Sequence, residues 1–149
     1  FPYTTLFRSM NQLLRLLSYA EEWPAQPRVY VTTQPQIAAK LASRGKTYVL
    51  GECNRQHPVA ALRVVFRGAV IVIRERPDVV ITTGSLPIAL LCIVAKLSGT
   101  KVVWIDSIAN SDRFSMSGRL IYAVADLFLT QWPHLAEEHR RAEFVGTLL

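Results

Sequence analysis

Residues 78–106 read DVVITTGSLPIALLCIVAKLSGTKVVWID: a β-branched run, a glycine turn, an apolar helical run, a second glycine turn and another β-branched run. Asp78–Thr82 has almost no polar alternation, the pattern expected of a strand buried on both faces. Leu86–Leu97 has the length and composition of a buried helix, ended by Ser98-Gly99. Lys101–Ile105 is a second buried strand. Strand, helix and strand with short connections predict a parallel pair joined by a right-handed crossover.

The same grammar continues in both directions. Toward the N-terminus, Pro58–Glu75 is a long helix that opens on a proline at a favoured early position and closes before Pro77. Ahead of it lie the strands Lys46–Leu50 (KTYVL) and Arg28–Thr33 (RVYVTT), separated by a helix at Gln36–Ser43 that stops before Gly45. Asn11–Trp23 is a helix with Leu13, Leu14, Leu16 and Leu17 on its apolar face and Pro24 at its end. Toward the C-terminus, Ser117–Asp126 is helical, Leu127–Thr130 a strand, Pro133–His139 helical and Glu143–Val145 a strand. The alternation predicts an α/β fold: an open, Rossmann-like parallel sheet with helices on both faces.

The start of the chain is anomalous. Such folds usually open with a strand and a glycine-rich turn, whereas this chain begins with the helix that follows them. Phe1–Ser9, FPYTTLFRS, shows no helical stripe, no strand alternation and no basic-then-apolar order of a secretory signal. It is the codon-by-codon translation of a widely used sequencing adapter. We read residues 1–9 as a non-native scar and residues 10–149 as one N-terminally truncated domain. The first sheet position is then expected to be empty, turning the apolar backs of Val29 and Val31 to water.

Half of the 149 residues are apolar and 19% are charged, a balance that excludes disorder and favours a well-covered core. Lys plus Arg number 17 against 11 Asp plus Glu, a net charge of +6, which points to an anionic partner: nucleic acid, lipid headgroups or sugar phosphates. Cys53 and Cys92 lack metal-type spacing, which favours a reduced compartment. The apolar run Pro87–Ala95 is too short to span a bilayer, which takes about 20 residues. No HExxH motif, phosphate-binding Walker loop, nucleophile elbow or aromatic-basic nucleic-acid patch occurs, so neither a metal site nor nucleic acid is expected.

Ligands of open parallel sheets gather at the carboxyl ends of the strands. The first segment placed there is Thr83-Gly84-Ser85, where a glycine turn meets a helix N-terminus suited to an anion; Ser85 reads equally as a plain N-cap. The second runs from Asp106 through Ser107 and Asn110 to Arg113. Asp106 is a candidate general base or a turn residue, and the hydroxyls suit a sugar. The third is Gln131-Trp132-Pro133-His134, whose indole could stack on a sugar or a partner chain, or simply pack on the last helix. Arg55 and His57 are candidates for the same cleft. Arg63, Arg67 and Arg74 form one stripe of the long helix, either a contact for anionic lipid or a solvated face.

Set in order, RPDVVITTGSLP, KVVWIDSIANSDRFSMSGRLIYAVADLFLTQWPHL and AEFVGTLL resemble bacterial polysaccharide-biosynthesis proteins. These are related to the membrane-anchor subunit, asparagine-linked glycosylation protein fourteen, of the eukaryotic UDP-N-acetylglucosamine transferase. The resemblance covers essentially Met10–Leu149 and is most specific in ADLFLTQWPHL and the preceding SMSGRL. It implies a glycosyltransferase split between two polypeptides, each one half of the two-domain GT-B fold. This chain would be the N-terminal half, holding an acceptor linked to undecaprenyl or dolichol diphosphate and recruiting its partner to the cytoplasmic face of the membrane. The partner, resembling the C-terminal half, would carry most of the UDP-sugar site; no cofactor is implied beyond that donor substrate.

By the same resemblance Thr83, Gly84 and Ser85 would border the substrate cleft, and Asp106, Ser107 and Asn110 would lie at the family's acidic-Ser-x-Ala motif. From the residues themselves, Asp106 is the catalytic candidate, Arg55 a further substrate-binding candidate, Gln131, Trp132 and His134 candidates for the partner interface, and Arg63, Arg67 and Arg74 for lipid phosphate. Relatives begin the second segment with Glu and end it with Arg, where this chain has DSIAN. They also carry a Gly-Gly-His-type loop directly before a helix like NQLLRLL, where FPYTTLFRS stands here, so little or no transfer is expected of this fragment even with its partner. Two other classes stay open: a non-catalytic membrane scaffold that activates the partner, and an unrelated nucleotide-binding α/β enzyme.

Overall fold

The computed structural model describes residues 2–54 and 56–148, with backbone alone for residues 2–10. In chain order the elements are α1 (Pro2–Tyr19), a 3-10 turn (Ala20–Glu22), β1 (Val29–Thr32), α2 (Pro35–Leu41), β2 (Lys46–Val49), α3 (Pro58–Glu75) and β3 (Val79–Thr82). They continue with α4 (Leu86–Leu97), β4 (Lys101–Ile105), α5 (Met116–Ile121), β5 (Leu127–Thr130), α6 (Pro133–Glu138) and β6 (Ala142–Phe144). All strand pairs among the described residues are parallel. The α/β class expected from the alternation is the one observed.

Two expectations about the sheet need correction. The strands form two pieces, β1-β2 and β3-β4-β5-β6, and no ladder joins β1 to β3 among the described residues. Consequently β3, expected to be buried on both faces, is an edge strand, with Val79 50% and Ile81 40% exposed. A β-branched run marks a strand; it does not say whether a second strand lies beside it. Val29 and Val31 are half-buried rather than turned to water, and Val31 packs on the main core.

Helices cover both faces of the β1-β2 piece, as alternation along β1 shows. Tyr30 packs with Leu17, Ala20 and Leu41 of the segment around α1 and α2, whereas Val31 and Tyr48 join the main core. That core is built on a row fixed by strand register: Thr82 beside Trp104, Trp104 beside Phe128, Phe128 beside Ala142. Against it α4 buries Ile88, Ala89, Leu91, Cys92 and Ala95. Trp104 and Phe128 are almost completely buried, and burial of rings this size contributes about 2–3 kcal/mol each.

Two helix boundaries differ from the sequence reading. The first helix extends back to Pro2, through the stretch that showed no helical stripe. Once a helix is nucleated each added residue gains a hydrogen bond, and proline is tolerated in a first turn. The fifth helix ends at Ile121 because Val124 and Ala125 both donate to the Ile121 carbonyl, closing a turn, and the Asp126 N–H already pairs with Val102 O.

Candidate functional site

The first strand-end loop follows β3. Gly84 (φ 119°) and Ser85 (φ 110°) are consecutive residues with positive φ, which swings the chain sharply out of the sheet and into α4. Gly84 N donates to Thr82 Oγ1 at 3.1 Å, and the Ser85 hydroxyl accepts from Ile88 N at 3.5 Å, the N-cap expected of it. Thr83 is buried and Ser85 exposed.

The second loop follows β4, and Asp106 controls it. Its carboxylate is 2% exposed and accepts three hydrogen bonds: Ser115 Oγ (2.6 Å) and Trp104 Nε1 (3.2 Å) on Oδ1, Ser115 N (2.9 Å) on Oδ2. Ser115 Oγ in turn accepts from Gly118 N at 2.8 Å, capping α5. A Cβ on Gly118 would stand 2.7 Å from Asp106 Oδ1, so the helix approaches the carboxylate only because that residue is glycine. The sequence offered Asp106 as a base; the structure engages both its oxygens in holding the ends of loop 107–114 together. Ser107 Oγ accepts from Ala109 N at 3.3 Å within the loop. Asn110 is half-buried, its backbone N–H bonded to Ser107 O.

The third segment holds the second from behind. Gln131, expected at a partner interface, is 3% exposed: Nε2 donates to Gln12 Oε1 (3.0 Å) and Asp106 O (2.9 Å), and Oε1 accepts from Leu148 N (2.7 Å). It therefore joins α1, the end of β4 and the C-terminal segment, and is no surface residue. Trp132 Nε1 donates to Ile108 O at 2.9 Å, and His134 Nε2 lies 2.6 Å from Ser111 O, two further ties on loop 107–114. Phe114 anchors the loop's far end against Tyr122, Phe128 and His139. Of these three residues, Trp132 is half-buried and only His134 is exposed.

Gln12, Trp104, Ser115 and Gly118 escaped the sequence reading. A signal existed for two of them: Ser115 directly precedes a helix and Gly118 stands three residues on, at cap spacing. Arg55 lies outside the described residues. His57 precedes α3 and is exposed. Cys53 and Cys92 are free thiols, and burial pushes that of Cys92 up to about 12. No group of three or more His, Cys, Asp or Glu side chains is arranged for a metal among the described residues.

The arginine stripe of α3 is exposed at Arg63, Arg67 and Arg74, and Arg67 Nη1 also reaches Leu50 O at 3.4 Å. Beside it runs a row that composition alone did not mark as uncovered: Val59 (71%), Leu62 (69%), Phe66 (70%), Val70 (45%) and Ile73 (70%). Spacings of three and four residues place these on one face of the helix. No helix among the described residues is long and apolar enough to cross a membrane.

Loops 83–85 and 107–114 and the segment 131–134 together make the rim of strand tips. Surface concavities of about 450 and 440 Å³ lie elsewhere, one around Arg76, Pro77 and Thr100 and one between α6 and β6. A family model described as "Oligosaccharide biosynthesis protein Alg14 like" matches residues 10–148. The UDP-N-acetylglucosamine transferase subunit ALG14 of Yarrowia lipolytica is 30% identical over 164 aligned residues, covering 94% of this chain and 73% of that protein. The human protein of the same name is 29% identical over 82 residues, 51% of this chain and 38% of that one. Among solved structures, Acinetobacter baumannii MurG superposes with a TM-score of 0.67 at 15% identity, covering 83% of this chain and 38% of that chain. That likeness supports the fold, a Rossmann-like half of a GT-B architecture.

Proposed function

The chain belongs to the family of Alg14-like oligosaccharide biosynthesis proteins, and on that premise we propose that it is the acceptor-side lobe of a two-chain UDP-N-acetylglucosamine transferase. The observation that supports this reading is the rim itself. Loop 107–114 is fixed from behind by Asp106, Gln131 and Trp132, and loop 83–85 is held by its own turn and cap, while Ser85, Ser107 and Asn110 are exposed or half-buried polar residues. Such groups suit the hydroxyls and diphosphate of a lipid-linked sugar. With Asp106 occupied by its own chain, this lobe binds and orients, and the partner lobe carries the UDP-sugar and completes the reacting centre.

Membrane contact in this reading falls to α3. Its exposed apolar row would enter the acyl boundary while Arg63, Arg67 and Arg74 meet phosphate headgroups on the cytoplasmic face, the geometry of an interfacial helix.

The test is reconstitution. The full-length gene product, co-expressed with the partner half-transferase, is assayed for transfer of labelled N-acetylglucosamine from UDP-N-acetylglucosamine to a lipid-diphosphate acceptor. Neither chain alone should transfer and the pair should; an inactive pair overturns the reading. The engaged Asp106 favours a second reading, a lobe that only scaffolds its partner. Ser107→Ala with Asn110→Ala separates the two: acceptor-side binding predicts a loss of about tenfold or more in kcat/KM, scaffolding none.

A further inference from the structure

We propose that Asp106 and Trp104 are positioning residues that make the two strand-tip loops a single coupled unit. The proposal deepens the acceptor-side reading and rests on it for its kinetic test alone. The connection is continuous. Ser115 N and Oγ close on the Asp106 carboxylate and fix the neck of loop 107–114. The same Oδ1 holds the indole N–H of Trp104, whose ring is wholly buried. Cζ2 of that ring lies 3.7 Å from where a Gly84 Cβ would stand, so the indole underlies the first loop. Ser115, Asp106 and Trp104 therefore form one path that runs from α5 and ends beside Gly84 at the start of α4. A carboxylate is suited to the junction because it accepts on both oxygens and donates on neither, and all the groups around it here are donors.

Asp106→Asn keeps the shape and replaces one acceptor with an N–H₂, which must face either the Ser115 amide or the paired Ser115 hydroxyl and Trp104 indole. At least one donor loses its partner. Native-state amide exchange should then accelerate by about tenfold at both Gly118 and Gly84, the loss expected for about one hydrogen bond, with the Trp104 indole proton shifted. Asp112→Asn, on the exposed part of the same loop, should change neither. Faster exchange at Gly118 with native protection at Gly84 would show the loops to be independent and overturn the proposal, as would an Asp106→Asn protein identical to the parent. If Asp106→Asn does not fold, Trp104→Phe removes the N–H while keeping a ring, and exchange at both glycines must still rise.

In the reconstituted pair, Asp106→Asn should raise KM for the acceptor about tenfold and leave kcat within about threefold. A general base would instead lose kcat by about a hundredfold or more at unchanged KM, an outcome that excludes the positioning role. A parental pair that transfers nothing overturns the transferase reading and leaves the exchange result to decide this one.

Discussion

Ser85 holds a conformation that suits glycine, φ 110° and ψ 153°, while its hydroxyl makes only a long 3.5 Å cap to Ile88 N. A residue held there stores about 1–3 kcal/mol, and exchanging a serine cap for glycine loses only a few tenths. Ser85→Gly should therefore stabilise the fold by about 1 kcal/mol, read as a higher urea midpoint at unchanged slope. Gly118→Ala should do the reverse. Its Cβ would meet Asp106 Oδ1 at 2.7 Å, and overpacking of this kind costs about 2 kcal/mol, more than the gain in helix propensity returns. Ser85 was legible as a cap because a cap and its helix are sequence neighbours. Asp106 was legible as important but not for its role, since its partner Ser115 lies at the far end of a loop.

At the scale of elements, α3 was bounded correctly by Pro58 and Pro77, yet its apolar residues surround it. Val64, Ile71 and Val72 are buried while Leu62, Phe66 and Ile73 are exposed, and composition does not distinguish the two sets. Only packing against the rest of the fold decides between them. If the exposed row meets lipid, Leu62→Glu with Phe66→Glu should abolish co-sedimentation with vesicles rich in anionic phospholipid at unchanged thermal stability. Arg63→Gln with Arg74→Gln should weaken it by about 1 kcal/mol per charge and flatten its salt dependence. The junction of α4, β4 and β5 gives a pH prediction. Asp126 accepts from Lys96 Nζ (2.6 Å) and Val102 N (2.8 Å), with Lys101 at 3.7 Å, and these hold its carboxyl down from 3.8 to about 2. Because folding lowers this pKa, its stabilisation is complete above the ordinary carboxylate range and disappears as pH falls through about 2. The difference in urea midpoint between parent and Asp126→Asn should thus close between pH 3.8 and about 2.

For the molecule as a whole, the strands were legible one by one from β-branched runs, but their division into two sheets was not, because a run carries no record of its neighbour. The β1-β2 piece joins the rest through α3: Lys46 Nζ reaches Glu75 Oε1 at 2.5 Å, Tyr48 donates to the same oxygen, and Arg67 holds Leu50 O. Amides of β1 and β2 should accordingly exchange at a lower opening free energy than those of β4 and β5, and Glu75→Gln should widen that gap. One buried tie spans most of the described residues, since Gln131 grips Gln12, Asp106 and Leu148 together. On a ribosome Gln12 emerges well ahead of Gln131 and Leu148, so the nascent polypeptide waits with its rim unassembled until residue 148 has been made. A stop codon between residues 145 and 148 would release a protein whose sheets are intact and whose clasp is open.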